Sequence, residues 1–183
     1  MRHNLSNLFA PKDLKCGFIV LCTEHNPDLL RYTFRSIQCR YGTPPIIAIT
    51  DDEAKPQEIK EMKTICPTYK GQKTFTSLIN LGFHKAETDW NFVLIAGTTM
   101  RGSLDLKMSC FVNSEKDILF PISEGKTNFI EATLNGLLIN KKTFMAVGDM
   151  PEEESLEMSK AEWALNAIEY GCKFKAIIGA KLC

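Results

Sequence analysis

Short apolar runs alternate along the chain with segments whose apolar residues recur at helical spacing. Phe18-Ile-Val-Leu-Cys22, extended by Gly17, is an uninterrupted apolar run and predicts a strand buried on both faces. Asn26-Pro27 then supplies a cap and a proline suited to the first helical position. Leu30, Phe34 and Ile37 follow at i, i+4 and i+7, which predicts a helix reaching about Tyr41-Gly42. Pro44-Pro45 ends the turn, and Ile46-Ile-Ala-Ile49 reads as a second buried strand. Strand, helix and strand of these lengths form a right-handed parallel crossover.

The alternation continues to the end. Pro56, Ile59 and Met62 suggest a short helix, and Phe75, Leu78, Ile79, Phe83 and Ala86 after Thr74 mark a longer one. Phe92 to Ala96 is the next buried strand. Ser103 is placed to cap a helix carrying Leu104, Met108 and Phe111, while Ile118 to Ile122 and Leu134 to Ile139 read as strands. Lys141 to Val147 predicts a short helix stopped by Gly148. An acidic loop with Asp149, Glu152, Glu153 and Glu154 leads to a helix marked by Ala161, Leu165 and Ile168, ended by Gly171, and Cys172 to Ile178 is the last strand. Such alternation predicts a three-layer α/β/α sandwich with a mostly parallel, mixed sheet. The 183 residues suit one domain, with residues 1–15 as an irregular lead-in.

Composition narrows the function. With 44% hydrophobic and 24% charged residues, general disorder is excluded. Twenty-two Lys and Arg balance 22 Asp and Glu, and no local basic patch stands out, so a nucleic-acid partner is not expected. The longest apolar runs have five residues, against about 20 for a bilayer-spanning helix, so no membrane span is expected. Pro11, Lys12 and Asp13 stand where an apolar signal core would lie, and the seven cysteines show neither a C-x-x-C nor a zinc spacing, which together suggest a cytoplasmic protein with reduced thiols.

In an open α/β sheet ligands bind beyond the carboxyl ends of the strands, so residues 23–28, 50–53 and 97–101 are the segments to inspect. No G-x-G-x-x-G is present, which argues against a dinucleotide oxidoreductase; Gly125-Lys126-Thr127 looks like the end of a P-loop, but Phe120 stands in place of its first glycine, so it reads as a surface turn.

Val20-Leu-Cys-Thr23-Glu-His-Asn-Pro27-Asp-Leu-Leu30, followed by Ile46-Ile-Ala-Ile-Thr-Asp51-Asp52, resembles the opening of the inverting family 2 glycosyltransferases of the GT-A fold. Asn80-Leu-Gly82 with Ala86 resembles the family's Asn-x-Gly helix. Asn135 to Glu152 resembles its acceptor-side segment, so the likeness extends over about residues 17–178. The resemblance implies a nucleotide-sugar donor, a UDP-sugar, whose base and ribose are contacted by Thr23 and by Asp51 or Asp52, with Asn80 and the segment Gly97, Thr98, Thr99 and Arg101 also on the donor side. Counting back from Gly171 places Glu162 at the final acid of the family's Glu-Asp-x-Asp, as the general base toward an unknown hydroxyl acceptor, with Ser159 where its Glu would be. Next in line are Asp149, Glu152 and Glu154.

The family's Asp-x-Asp is missing. Gly97-Thr98-Thr99 occupies its place, Asp105 is the nearest downstream acid, and hydroxyls are poor substitutes for carboxylates around Mn²⁺ or Mg²⁺. The residues leave three alternatives: a metal-independent transferase, a metal held by other groups and the diphosphate, or a nucleotide-sugar binding or interaction module without catalysis. Arg101 and Lys85 are candidates to neutralise a diphosphate, and His25 lies in the first strand-end loop. Trp90 and Trp163 read as core or edge packing. The short chain also leaves room for a homo-oligomer or a partner chain that completes the acceptor side.

Overall fold

The computed structural model describes residues 15–22, 27–41, 44–50, 63–65, 74–99, 110–122, 128–132 and 134–178. Thr23, His25, Asp51, Asp52, Arg101 and Asp105, the helix expected around Pro56 to Met62, most of the helix expected after Ser103, and residues 125–127 lie outside them.

Among the described residues, seven strands and four helices follow one another as β1 (Cys16–Cys22), α1 (Pro27–Tyr41), β2 (Ile46–Thr50), β3 (Lys63–Ile65), α2 (Phe75–Lys85), β4 (Trp90–Ile95), β5 (Asp117–Ile122), β6 (Leu137–Asn140), α3 (Lys141–Val147), α4 (Leu156–Glu169) and β7 (Lys173–Ile178). They form one mixed sheet in the order β3-β2-β1-β4-β6-β5-β7. β6 runs against both its neighbours, β4 and β5, while the other pairs are parallel. The sequence pattern does not pick out β3, whose three residues are too few for a period.

β1 sits between β2 and β4, with Phe18 opposite Ile46 on one side and Phe92 on the other. Its side chains alternate between two cores, as a period of two requires. Ile19 and Leu21 join Leu78, Ile79 and Phe83 of α2, Phe144 of α3 and Trp163 of α4. Phe18 and Val20 join Leu30, Phe34 and Ile37 of α1. Helices therefore cover both faces of the sheet, as the alternation predicts. Among the described residues no helix is long and apolar enough to cross a membrane.

Local chemistry sets the helix ends. Thr74 caps α2, its hydroxyl accepting from Ser77 N–H while the Ser77 hydroxyl accepts from Thr74 N–H. Asn140 caps α3 and Ser155 caps α4. Gly82 lets α2 lie directly on the sheet, since a methyl group there would overlap Cγ2 of Ile19.

α4 departs from the sequence expectation in its orientation. Ala161, Leu165 and Ile168 mark the helix, but Leu165 and Ile168 are exposed, and the buried face consists of Ser159, Lys160, Trp163, Ala164 and Ala167. Trp163 decides this. Its indole packs against Phe129, Phe144 and Phe174, and its Nε1–H donates to the Gly148 carbonyl at 2.8 Å. Trp90 is likewise buried, in the core under α1.

At the amino end of β5 the fully buried Asp117 accepts three bonds on one carboxylate oxygen: from Asn113 N–H at 2.6 Å, Ser114 N–H at 2.9 Å and the Lys175 ammonium at 2.8 Å. Burial alone pushes the carboxyl up, but the Lys175 bond and the two N–H groups outweigh it and hold Asp117 below the usual carboxylate value. Asp117→Asn is expected to cost about 2 kcal/mol, lowering Tm by roughly 4–8 °C at neutral pH. A depressed folded-state pKa stabilises above the unfolded value of about 3.9 and stops doing so as pH falls through the folded value, so the Tm gap between the two proteins closes in acid. Thermal melts from pH 7 to 3 check this; a gap that stays constant to pH 3 contradicts it.

Candidate functional site at the strand ends

α1 returns the chain from β1 to β2 on one face, and α2 brings it from β3 back to β4 on the other. The two crossovers place β2 and β4 on opposite sides of β1. The carboxyl ends of β1 and β4 are thus a topological switch point, the place where open α/β sheets bind their ligands. Thr23 follows Cys22, the last residue of β1, and Asp51 follows Thr50, the last residue of β2, in the chain.

At this end of the sheet the described segment is the turn after β4. Ala96 N–H donates to Leu21 O at 2.8 Å, which extends the β1–β4 pairing by one residue. Gly97 then turns at φ 96°, a conformation that favours glycine, with its N–H shared between Leu29 O at 3.1 Å and the Thr33 hydroxyl at 2.9 Å. Thr98 N–H closes back onto Ile95 O. Asn135, just before β6, brackets the turn: its carbonyl oxygen accepts from Ile95 N–H at 3.0 Å and its amide donates to the Thr98 hydroxyl at 2.8 Å. Both Thr98 and Thr99 are buried.

This turn does not fit a divalent cation. It offers no carboxylate, the Gly97 N–H faces α1, and the Thr98 hydroxyl is held by Asn135. Hard cations take charged or carbonyl oxygens in numbers that a glycine and two buried threonines do not supply.

Asn80 is engaged elsewhere. Its side chain donates to Met150 O at 2.8 Å and accepts from Met150 N–H at 2.9 Å, pairing with that backbone as a neighbouring strand would. His84 Nε2 meets Asp149 Oδ1 at 2.8 Å, and Trp163 holds Gly148 O. α2 and α4 thereby pin residues 148–150 through three side chains. Lys85 ends α2 just before β4 begins, at the opposite end of the strands from Gly97, away from the carboxyl ends where a diphosphate would lie.

On α4 the expected acidic motif reads Ser159-Lys160-Ala161-Glu162. Ser159 is buried; its hydroxyl donates to Ser155 O and accepts from Glu153 N–H, ordering the entry to the helix. Lys160 is buried too and donates to Ala132 O at 2.8 Å, drawing the 128–132 turn onto α4. Glu162 is exposed, with no hydrogen bond or ion pair to any described residue.

Sequence reasoning did not single out Thr33, Asn135 or Lys160 as parts of this end of the sheet. Lys160 had a readable signal, since it shares a helical face with Trp163, Ala164 and Ala167. Thr33 had none, because its partner lies 64 residues away; Asn135 heads the segment likened to the acceptor side, but its bonds to Ile95 and Thr98, 40 and 37 residues away, are not legible in the sequence.

Asn135→Ala removes an acceptor from Ile95 and a donor from Thr98 and is expected to destabilise the protein by about 2 kcal/mol. Thr98→Val leaves the Ile95 bond in place and is expected to cost about half as much. Urea unfolding of both variants measures the pair, and equal costs would refute the two-ended bracket.

No model of a known protein family matches the chain, and no curated protein matches it.

Proposed function

We propose that the chain is a glycosyltransferase of the GT-A type that takes a nucleotide-sugar donor, a UDP-sugar, beyond the carboxyl ends of β1, β2 and β4 and transfers the sugar with inversion to a hydroxyl acceptor. The observation that carries this reading is the switch point between β1 and β4, with Thr23 and Asp51-Asp52 next in the chain after β1 and β2. The mixed, mostly parallel sheet with helices on both faces suits the reading as well. Asp51 or Asp52 accepts hydrogen bonds from the base or ribose, Thr23 adds a hydroxyl, and Arg101 neutralises the diphosphate. Glu162 acts as the base: it takes the acceptor proton as the acceptor oxygen bonds to the anomeric carbon, and the bond from that carbon to the diphosphate breaks with its electron pair leaving on the nucleotide. No step uses a metal, because the turn after β4 does not fit one.

A second reading, nucleotide-sugar binding without transfer, is favoured by one observation. Among the described residues Glu162 has no hydrogen-bond or ion-pair partner to orient it, and the neighbouring motif positions hold Ser159 and Lys160, both tied to backbone oxygens.

Calorimetric titration with UDP, GDP and their sugar conjugates, with Mn²⁺ and with EDTA, tests donor binding. UDP-sugar binding that is insensitive to EDTA and weakened in Asp51→Ala or Asp52→Ala is expected. No heat with any nucleotide, or binding that requires Mn²⁺, contradicts the proposal. Glu162→Gln separates the readings: a transferase loses roughly 10² to 10⁴ in turnover with donor affinity unchanged, whereas full turnover in this variant removes Glu162 from the chemistry.

A further inference from the structure

α4 is apolar on two opposite faces. Trp163, Ala164 and Ala167 face the sheet, and at roughly 150° around the axis lie Met158, Ala161, Leu165 and Ile168, spaced i, i+3, i+7 and i+10. Met158, Leu165 and Ile168 are 50%, 63% and 57% exposed. Single exposed apolar residues are ordinary, but a seam of this spacing on a helix already anchored by its other face has the form of a helix-packing surface.

Its borders are acidic. Glu157 flanks one side and Glu162 and Glu169 the other, all exposed, whereas Lys160, the one cation of α4, is buried on the opposite face. Packing two copies of α4 against each other would place glutamates beside glutamates along the seam, which disfavours a second copy of this chain as the occupant. Charge complementarity instead selects a cationic helix.

We propose that the outer face of α4 docks a helical segment of another polypeptide whose apolar seam is flanked by Lys or Arg. Leu165 and Ile168 enter the apolar seam of that partner helix, and Glu157 and Glu169 pair with its basic flanks and set its direction. Glu162, the base of the proposed transfer, borders this surface, so docking is read by peptide binding with Glu162 left in place.

Fluorescence anisotropy with the full chain and two synthetic heptad peptides tests the assignment. Both peptides carry the same leucine seam, one flanked by lysine and the other by glutamate. The lysine peptide is expected to bind about tenfold or more tightly than the glutamate peptide. Leu165→Asp with Ile168→Asp is expected to weaken it at least about tenfold while circular dichroism and Tm stay as in the unsubstituted protein, because both side chains are exposed. Glu157→Lys with Glu169→Lys is expected to reverse the preference. Equal binding of the two peptides, binding of neither, or binding unaffected by the Leu165 and Ile168 substitutions overturns the proposal. So does a dimer in light scattering that those substitutions dissolve, which would make the occupant a second copy. Adsorption to phosphatidylcholine vesicles lost in the same variant would make it a lipid surface and overturn the proposal equally.

Discussion

A central strand buried on both faces has to satisfy its backbone polar groups entirely within the sheet, because an unpaired buried N–H or C=O costs as much as a lost hydrogen bond. β1 meets this requirement by pairing in parallel with β2 on one side and β4 on the other. Parallel neighbours cannot be joined by tight turns, so the chain must leave β1 through a helix on one face and come back to β4 by a helix on the other. The two cores, the positions of α1 and α2, and the switch point at the strand ends follow from that single demand.

Where the backbone leaves regular pairing, polar side chains supply the missing partners. Asn135 serves the end of β4, Asn80 pairs with Met150, Asp117 collects the N–H groups of Asn113 and Ser114, and Lys160 takes up Ala132 O. Each of these groups sits at a chain reversal at the rim of the sheet or on a connecting loop, where a buried polar group without a partner would cost about 1–3 kcal/mol. The turn after β4 is the strongest instance, since α1 and the approach to β6 grip it from two sides. Rigidity of that kind suits a fixed wall of a binding crevice better than a moving lid.

α4 carries a competition between packing and chemistry. Trp163 fixes its rotation, and with that rotation Ser159 and Lys160 turn inward while Glu162, Leu165 and Ile168 turn outward. A carboxylate in that position lies on the outer side of the helix, beside an apolar seam rather than in a desolvated pocket, so its role depends on what covers the helix.

Much of the architecture was legible in the residues themselves. Apolar runs of strand length and helical spacing are local signals, and they located β1, α1, β2, α2, β4, β5, α3, α4 and β7 to within a few residues. The end of β6 was placed, but not its start, since Leu134 to Gly136 form a turn. Gly82 and Gly97 were visible as glycines, but only the approach of Ile19 and the turn at φ 96° show why glycine stands there. Tertiary structure alone decided which face of α4 is buried, because Leu165 and Ile168 carry as strong an apolar pattern as Trp163 and Ala167, and the larger aromatic surface with a hydrogen-bonding indole prevails. It alone also decided the order of the strands, the reversed direction of β6, and the joining of Thr33, Asn135 and Lys160 to segments distant in the chain. Periodicity records which side of an element is apolar; it carries no information about which distant element will lie against that side.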